Sequence, residues 1–374
     1  MADQTTTIPK GWKMTTLGEV ADIIMGQSPS GESYNQKNDG LPFYQGITEF
    51  GDKYVNIKTF TNAPTKIIEA NSILFSVRAP VGKVNFTKHK ACIGRGNAGL
   101  KMKNGQQNFL YFLLKKSEKA FLSNTTGTVF DSISGGQLRE FEVLIPEREE
   151  EQCAIAAVLS SLDDKIELLR EQNKTLEATA QAIFKEWFVN FNFPGATGKM
   201  IDSELGEIPE GWRVGTVNDV IERFSITYRC DQGDLSPKGK TPIFDQGTSG
   251  LYGYTERDAD FQASTENPVI LFTNHTCNMW FVNYPFCAIQ NVIPFRGNAD
   301  YSTFFVFYMT LGKVKFIEYK GHWPDFEQKK HIIPKPETAN QFAEFVKPLQ
   351  YKIWNNNSEV ETLSKLRDTL LPKL

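Results

Sequence analysis

No stretch of this 374-residue chain approaches the roughly 20 consecutive apolar residues needed to span a membrane. Cysteine is scarce and scattered. Cys92, Cys153, Cys230, Cys277 and Cys287 are odd in number and include no C-x-x-C pair, which argues against a disulfide scaffold and suits a reducing cytoplasm. Closely spaced metal ligands are lacking too, so the thiols read as buried and the four histidines as ordinary surface residues, with no metal expected. The opening "MADQTTT" is polar, neither signal nor transit peptide, and reads as a frayed tail. There is no FxGxG followed by N-P-P-Y or D-P-P-F, no phosphate-binding loop and no persuasive Ser/His/Asp grouping. One loose E-x-K at Glu318 and Lys320, with Asp300 upstream, is nuclease-like, but the acidic partner expected in a Pro-Asp turn is missing. A net charge of −3 excludes a uniformly basic nucleic-acid binder.

What the chain does have is a duplication. "IPKGWKMTTLGEV" at 8–20 returns as "IPEGWRVGTVNDV" at 208–220, with the Trp kept and Lys13/Arg213 and Glu19/Asp219 preserving charge type. "ILF" at 73–75 and 270–272, and "LIP" at 144–146 and "IIP" at 332–334, extend the match. Charge is distributed unevenly. Between Gly51 and Lys119, 13 Lys/Arg face only Asp52, Glu69 and Glu118, a local field that attracts phosphates. The acidic stretch Glu147–Glu186 reads as a solvated face.

Up to Pro146 the texture is short apolar runs closed by Gly or Pro, with one segment of helical length, "NFLYFLLKKSEKAFL". From Glu149 to Asn192 neither Gly nor Pro occurs. Ile155, Leu159, Leu162, Ile166, Leu169, Asn173, Leu176, Ala180, Ile183 and Trp187 step alternately by four and three. That is a heptad seam about 65 Å long, with Asn173 as a polar register-setting position. Pro194, Gly195 and Gly198 open a linker. A second helix follows the second copy, its face marked by Phe342, Phe345, Leu349, Ile353, Val360, Leu363 and Leu370, with a stutter and Pro348 inside. The boundaries are a first globe at 1–147, a helix at 148–192, a linker at 193–206, a second globe at 207–336 and a helix at 337–374. Helices paired in this chain order run antiparallel. Two like globes held apart by such a caliper suit a target read at two half-sites, as duplex DNA is.

Several residues carry a family resemblance: the two opening phrases, "DSELGEIPEGW", "SVRAPVG", "IPEREEEQ" and "LSKLRDTLLPKL". Over essentially its whole length the chain resembles specificity subunits of type I restriction–modification systems. The resemblance implies mixed α/β target-recognition globes, two in tandem pseudo-twofold arrangement, separated by two long antiparallel coiled-coil helices. It implies a non-catalytic, cytoplasmic subunit, each globe reading half of a bipartite DNA site while the helices dock two methyltransferase subunits and a restriction subunit can join. S-adenosylmethionine, ATP and Mg²⁺ would then belong to the partner subunits. The alternatives are a standalone metal-dependent nuclease using Glu318/Lys320, and a scaffold that binds only protein.

Base reading requires polar side chains presented by loops, whereas phosphate contacts only position the protein. In the first globe Arg78, before Ala-Pro, is the leading base-reading candidate, followed by Gln45, Gln27 and Tyr34. Lys83, Lys88, Lys90, Arg95, Lys101 and Lys103 are phosphate candidates. In the second globe "TNHTCNMWFV" stands where the first has its basic loop, so Asn274, His275, Asn278 and Trp280 are the readers, with Gln246 in "PIFDQGTSGLYG" beside them. The seam residues Ile155 to Ile183, with Ile353, Val360, Leu363 and Leu370, are assigned to helix pairing and partner docking.

Overall fold

The computed structural model describes residues 8–122, 132–225, 230, 232–247, 249–316, 318 and 320–373; the expected frayed tail lies outside the described residues. In the first globe the main strands are β1 (Trp12–Thr16), β2 (Ala21–Met25), β3 (Leu41–Tyr44), β4 (Ile73–Ser76), β5 (Val84–Phe86), β6 (Ala91–Ile93), β7 (Asn97–Met102) and β8 (Glu142–Pro146), with helix α1 (Gln107–Leu122) before the last. Helix α2 (Glu149–Phe188) follows. The second globe holds β9 (Arg213–Thr216), β10 (Ile221–Arg223), β11 (Thr241–Phe244), β12 (Val269–Thr273), β13 (Met279–Val282), β14 (Cys287–Ala288), β15 (Val292–Gly297) and β16 (Lys330–Ile333), with α3 (Thr303–Thr310) before the last. Helix α4 (Pro336–Leu370) closes the chain.

The duplication is visible strand by strand. One four-stranded sheet runs in the order β2-β7-β4-β5 and its counterpart in the order β10-β15-β12-β13. A parallel pair recurs as well, Phe43 opposite Cys92 in β3/β6 and Ile243 opposite Cys287 in β11/β14. The repeated phrase forms the opening strand and its turn. Thr16 N–H donates to Glu19 Oε2 at 3.3 Å, and Thr216 N–H donates to Asp219 Oδ2 at 2.9 Å. The Thr15 hydroxyl and then the Thr16 N–H hold the Glu19 carboxyl below its usual range, and the Thr216 N–H and then Arg213 do the same for Asp219. The acid is therefore repeated because it caps the turn that carries the chain into the sheet. The opening strand then pairs antiparallel with the last strand of its globe, Trp12 opposite Pro146 and Arg213 opposite Ile333.

Two compact units result, Met1–Glu167 with Glu361–Leu374, and Leu168–Val360, so each owns a globe and a segment of both long helices. In the first unit Ile155, Ala156, Leu159 and Leu370 join the core of the globe, and Asp163 receives Arg367 at 2.9 Å. In the second, Asn173 Nδ2 donates to Asn357 Oδ1 at 2.7 Å and Asn356 Nδ2 donates to Asn173 Oδ1 at 2.8 Å. Trp187 and Phe188 meet Phe342 edge to face. Within each unit low numbers on α2 meet high numbers on α4, so the pairing is antiparallel. Leu159, Ile166, Leu169, Asn173 and Ile353 are buried, while Ile155, Leu162, Leu176, Ile183, Val360, Leu363 and Leu370 are half-buried.

Several expectations are corrected. Helix α2 stops at Phe188 rather than Asn192, because Asn190 and Asn192 turn back to donate to the Glu186 carboxylate and Phe191 takes φ +60°. Phe345 is 54 % exposed, the buried face of α4 running instead through Ala339, Phe342, Val346 and Gln350. His322 and His331 are buried rather than on the surface, and Cys153 is an exposed thiol. Burial lowers the His331 pKa to about 4, which keeps its ring neutral. Asp163 was absent from the apolar count, yet its side chain is only 4 % exposed.

The pairing of Asp163 with Arg367 generates a test. Arg367→Leu strands a buried carboxylate and should destabilise the first unit by about 3–5 kcal/mol in chemical denaturation. The double variant Asp163→Leu/Arg367→Leu should recover most of that loss. Equal losses in both variants would mean that packing of the arginine stem, and not the charge pair, holds the helix end.

Candidate nucleic-acid interface

In the first globe β2 and β4 deliver their C-terminal residues to one end of the four-stranded sheet, where β7 begins, and β6 of the neighbouring sheet leads to the same place. Buried Asn97 organises this end, donating through Nδ2 to the carbonyls of Tyr44 at 3.1 Å and Gly46 at 3.4 Å. Gly26 N–H donates to Asn97 O, Gln27 N–H to Ile93 O, Val77 N–H to Gly96 O and Gly96 N–H to Gln45 O. A Cβ at Gly26 would lie 2.1 Å from the Gly94 carbonyl, so this close approach requires glycine. The exposed side chains of Gln27, Gln45, Arg78 and Arg95 therefore emerge from hydrogen-bonded neighbouring loops. Tyr34 does not join them as a free reader. Its hydroxyl donates to Pro29 O and its ring stacks on Phe43, with centroids 4.8 Å apart.

The basic excess is divided. Lys83, paired with Glu118 at 2.5 Å, follows the loop that carries Arg78. Lys101, near the end of β7, lies with Lys88, Lys90 and Lys103 toward the opposite end, the six residues of β7 spanning about 20 Å. There Lys88 sits over the Tyr54 ring at 4.2 Å, Lys90 pairs with Glu69 and Lys103 Nζ donates to the Gly18 and Glu19 carbonyls. Lys101 lines a cleft of about 540 Å³ against Cys153 and Ala157 of α2. Lys53 is buried and pairs with Asp164 at 2.7 Å. Much of the charge counted from the sequence is thus spent inside the first unit.

The second globe builds the same end from different residues. Sheet register aligns Ile73–Ser76 with Ile270–Thr273, so Arg78 corresponds to His275, and the β3/β6 and β11/β14 pairs make Arg95 correspond to Gln290. Gln246 Oε1 accepts from His275 N–H at 3.0 Å, and Gln246 O accepts from Thr276 Oγ1 at 2.9 Å. His275 Nδ1 lies 2.8 Å from the Lys320 carbonyl. Asn278 follows in the same loop, and its N–H donates to Thr273 Oγ1 at 2.8 Å. Trp280 packs beside Phe244, half-buried over Gly250. Gln246, Asn274, His275, Asn278 and Trp280 do converge. Asn274, however, faces inward: its side-chain oxygen accepts from Trp323 N–H at 2.8 Å and its carbonyl from His322 N–H. Sequence reasoning missed exposed Gln290, which carries no local motif and is found only through the register.

The nuclease-like group does not assemble. Lys320 Nζ lies 3.1 Å from Asp325 and 3.7 Å from Glu318, and the Asp325 pairing raises its pKa. The Asp300 carbonyl accepts from Asn340 at the start of α4. Among the described residues these carboxylates form no metal-binding cluster, and no helix is long and apolar enough to cross a membrane.

Asn274→Ala should release the turn at Trp323 and destabilise the second unit by about 1–3 kcal/mol. Hydrogen exchange should quicken around Trp323–Glu327 before any loop at Asp245–Ser249 is affected. Unchanged exchange there would show that the Asn274 amide is free to act as a reader.

A family model described as the type I restriction modification DNA specificity domain matches residues 9–178. The chain is 40 % identical over 182 residues to the MjaX type I restriction enzyme specificity subunit of Methanocaldococcus jannaschii, covering 47 % of this chain and 42 % of that relative. It is 26 % identical over 403 residues to the MjaIX specificity subunit of the same organism, covering 98 % of this chain and 93 % of that one. The crystal structure of the type I restriction–modification S subunit from M. genitalium shares the fold, with a TM-score of 0.62 over 100 % of this chain and 97 % of that chain at 18 % identity. The chain therefore carries a type I restriction modification DNA specificity domain over residues 9–178, and over nearly its whole length, both copies included, it is similar to a type I restriction enzyme specificity subunit.

Proposed function

We propose that this chain is the non-catalytic, DNA-reading subunit of a type I restriction–modification complex, each globe reading one half of a bipartite, asymmetric site. The observation that carries this reading is the same sheet end built twice with different chemistry, Arg78 and Arg95 in one globe against His275 and Gln290 in the other. Equal folds that present unequal groups at that end suit two different half-sites. Gln27, Gln45 and Arg78 are the base readers of the first globe, and His275, Asn278 and Gln290, held by Gln246 and Asn274, those of the second. Arg95 and Lys83 stand nearest to them as phosphate contacts. The long helices dock two methyltransferase subunits, which bring S-adenosylmethionine, and a restriction subunit brings ATP and Mg²⁺, all in the cytoplasm.

Methylation mapping in a host that carries this chain with its methyltransferase tests the whole reading. Two different specified half-sites around a fixed gap are expected, and random methylation would end it. In the same assay Arg78→Ala should relax one base pair of one half-site, costing about 1–3 kcal/mol if it pairs with guanine. Loss of affinity across all sequences would assign Arg78 to a phosphate.

The helices are the ruler between the half-sites. Matched insertions of four residues, after Glu167 in α2 and after Val360 in α4, fall where the two units divide. Each adds about 6 Å of helix and nearly preserves the facing of the seam. The unspecified gap should lengthen by one or two base pairs at about 3.4 Å each, while both half-sites keep their sequences. An unchanged gap would show that something other than the helices sets the spacing.

A further inference from the structure

Behind the reading end of the second globe lies a group of side chains that the DNA-reading role leaves unused. Cys230 is 4 % exposed and Cys287 fully buried, and their sulfurs and an Asp260 carboxylate oxygen all lie within 4.8 Å of one another. Asp260 Oδ2 is buried and has no hydrogen-bond partner. The Cys287 thiol donates to the Asp258 carbonyl at 3.7 Å, a weak contact. A buried carboxylate oxygen without a donor costs free energy unless something satisfies it.

We propose that Cys230, Cys287 and Asp260 bind one thiophilic divalent cation of the zinc class. Two sulfurs and one oxygen suit zinc, whose bonds of about 2.3 Å to sulfur and 2.0 Å to oxygen place tetrahedral ligands roughly 3.5–3.8 Å apart. The three donors need only close by about 1 Å, with water in the fourth position. Charge balances as well. Two thiolates, a carboxylate and a divalent cation sum to −1, and Arg257 neutralises it, lying 3.5 Å from Cys230 Sγ and 3.4 Å from Asp260 Oδ1. Arg257 thus acts as the outer partner that orients the ligands.

The cation would tie together three segments. Cys230 bridges to Ile289, Phe261 beside Asp260 bridges to Phe286, and β14 pairs with β11, which runs into Gln246. The site would thereby stiffen the loops that hold His275 and Gln290. In the first globe the register equivalent of Cys287 is Cys92, whose neighbour is Thr65 Oγ1 at 3.9 Å rather than a second thiol. Among the described residues no second such cluster occurs.

Titration of the full chain with Co²⁺ under reducing conditions tests this. One equivalent should produce thiolate-to-cobalt charge-transfer absorption, which Zn²⁺ abolishes, and Zn²⁺ should raise the melting temperature. Cys230→Ser and Cys287→Ser should each lose the band, Cys92→Ser and Cys153→Ser should keep it, and Asp260→Asn should weaken binding at least tenfold. Should the cysteine variants fail to fold, Asp260→Asn decides. The absence of a band, its survival in folded Cys230→Ser or Cys287→Ser, unchanged affinity in Asp260→Asn, or loss of two thiols to a disulfide in air without metal would each overturn the proposal.

Discussion

Each globe is closed by the pairing of its first strand with its last, and the rest of the molecule depends on that closure. Because β1 lies against β8 and β9 against β16, the chain enters and leaves each globe at the same place, directly at the start of a long helix. Trp12 marks the junction, its indole N–H donating to Glu151 on α2 at 3.1 Å. Trp212 does so by ring packing, stacked on Phe193 with centroids 4.9 Å apart and tilted against Phe188 at 5.7 Å. A closed base leaves the far end of the sheet free to vary. In the first globe that end presents Arg78 and Arg95, and in the second it presents His275 and Gln290.

The helices bring their own constraint, since an all-apolar seam would pair in several registers. Here the seam contains Asp163 with Arg367 and Asn173 with Asn356 and Asn357, groups that bury favourably only opposite one another. A slip of one turn would leave a buried charge and several amides without partners. Register is therefore held by polar contacts and strength by apolar ones such as Trp187, Phe188 and Phe342, buried side chains that contribute about 1.5–3 kcal/mol apiece.

The candidate site was legible in part. Loops placed beside apolar runs in the sequence do carry Gln27, Gln45 and Arg78 to one end of a sheet. The roles of Asn274 and Tyr34 were not legible, because a polar side chain in a loop looks the same whether it faces solvent or caps a turn. Nor was the fate of the lysines, since local counts ignore partners such as Glu118 and Asp164, the latter lying 111 residues from Lys53.

By itself the sequence determined the duplication, the two long helices and the antiparallel sense of their pairing. Those features rest on repeats, periodicity and chain order, which a linear string contains. Only the tertiary structure decided which groups share a surface. The correspondence of Arg95 with Gln290 and the meeting of Cys230, Asp260 and Cys287 both depend on sheet register, and so does the division of the lysines between opposite ends of the sheet. Register joins residues far apart in sequence through backbone hydrogen bonds, which leave no local mark on the side chains they align.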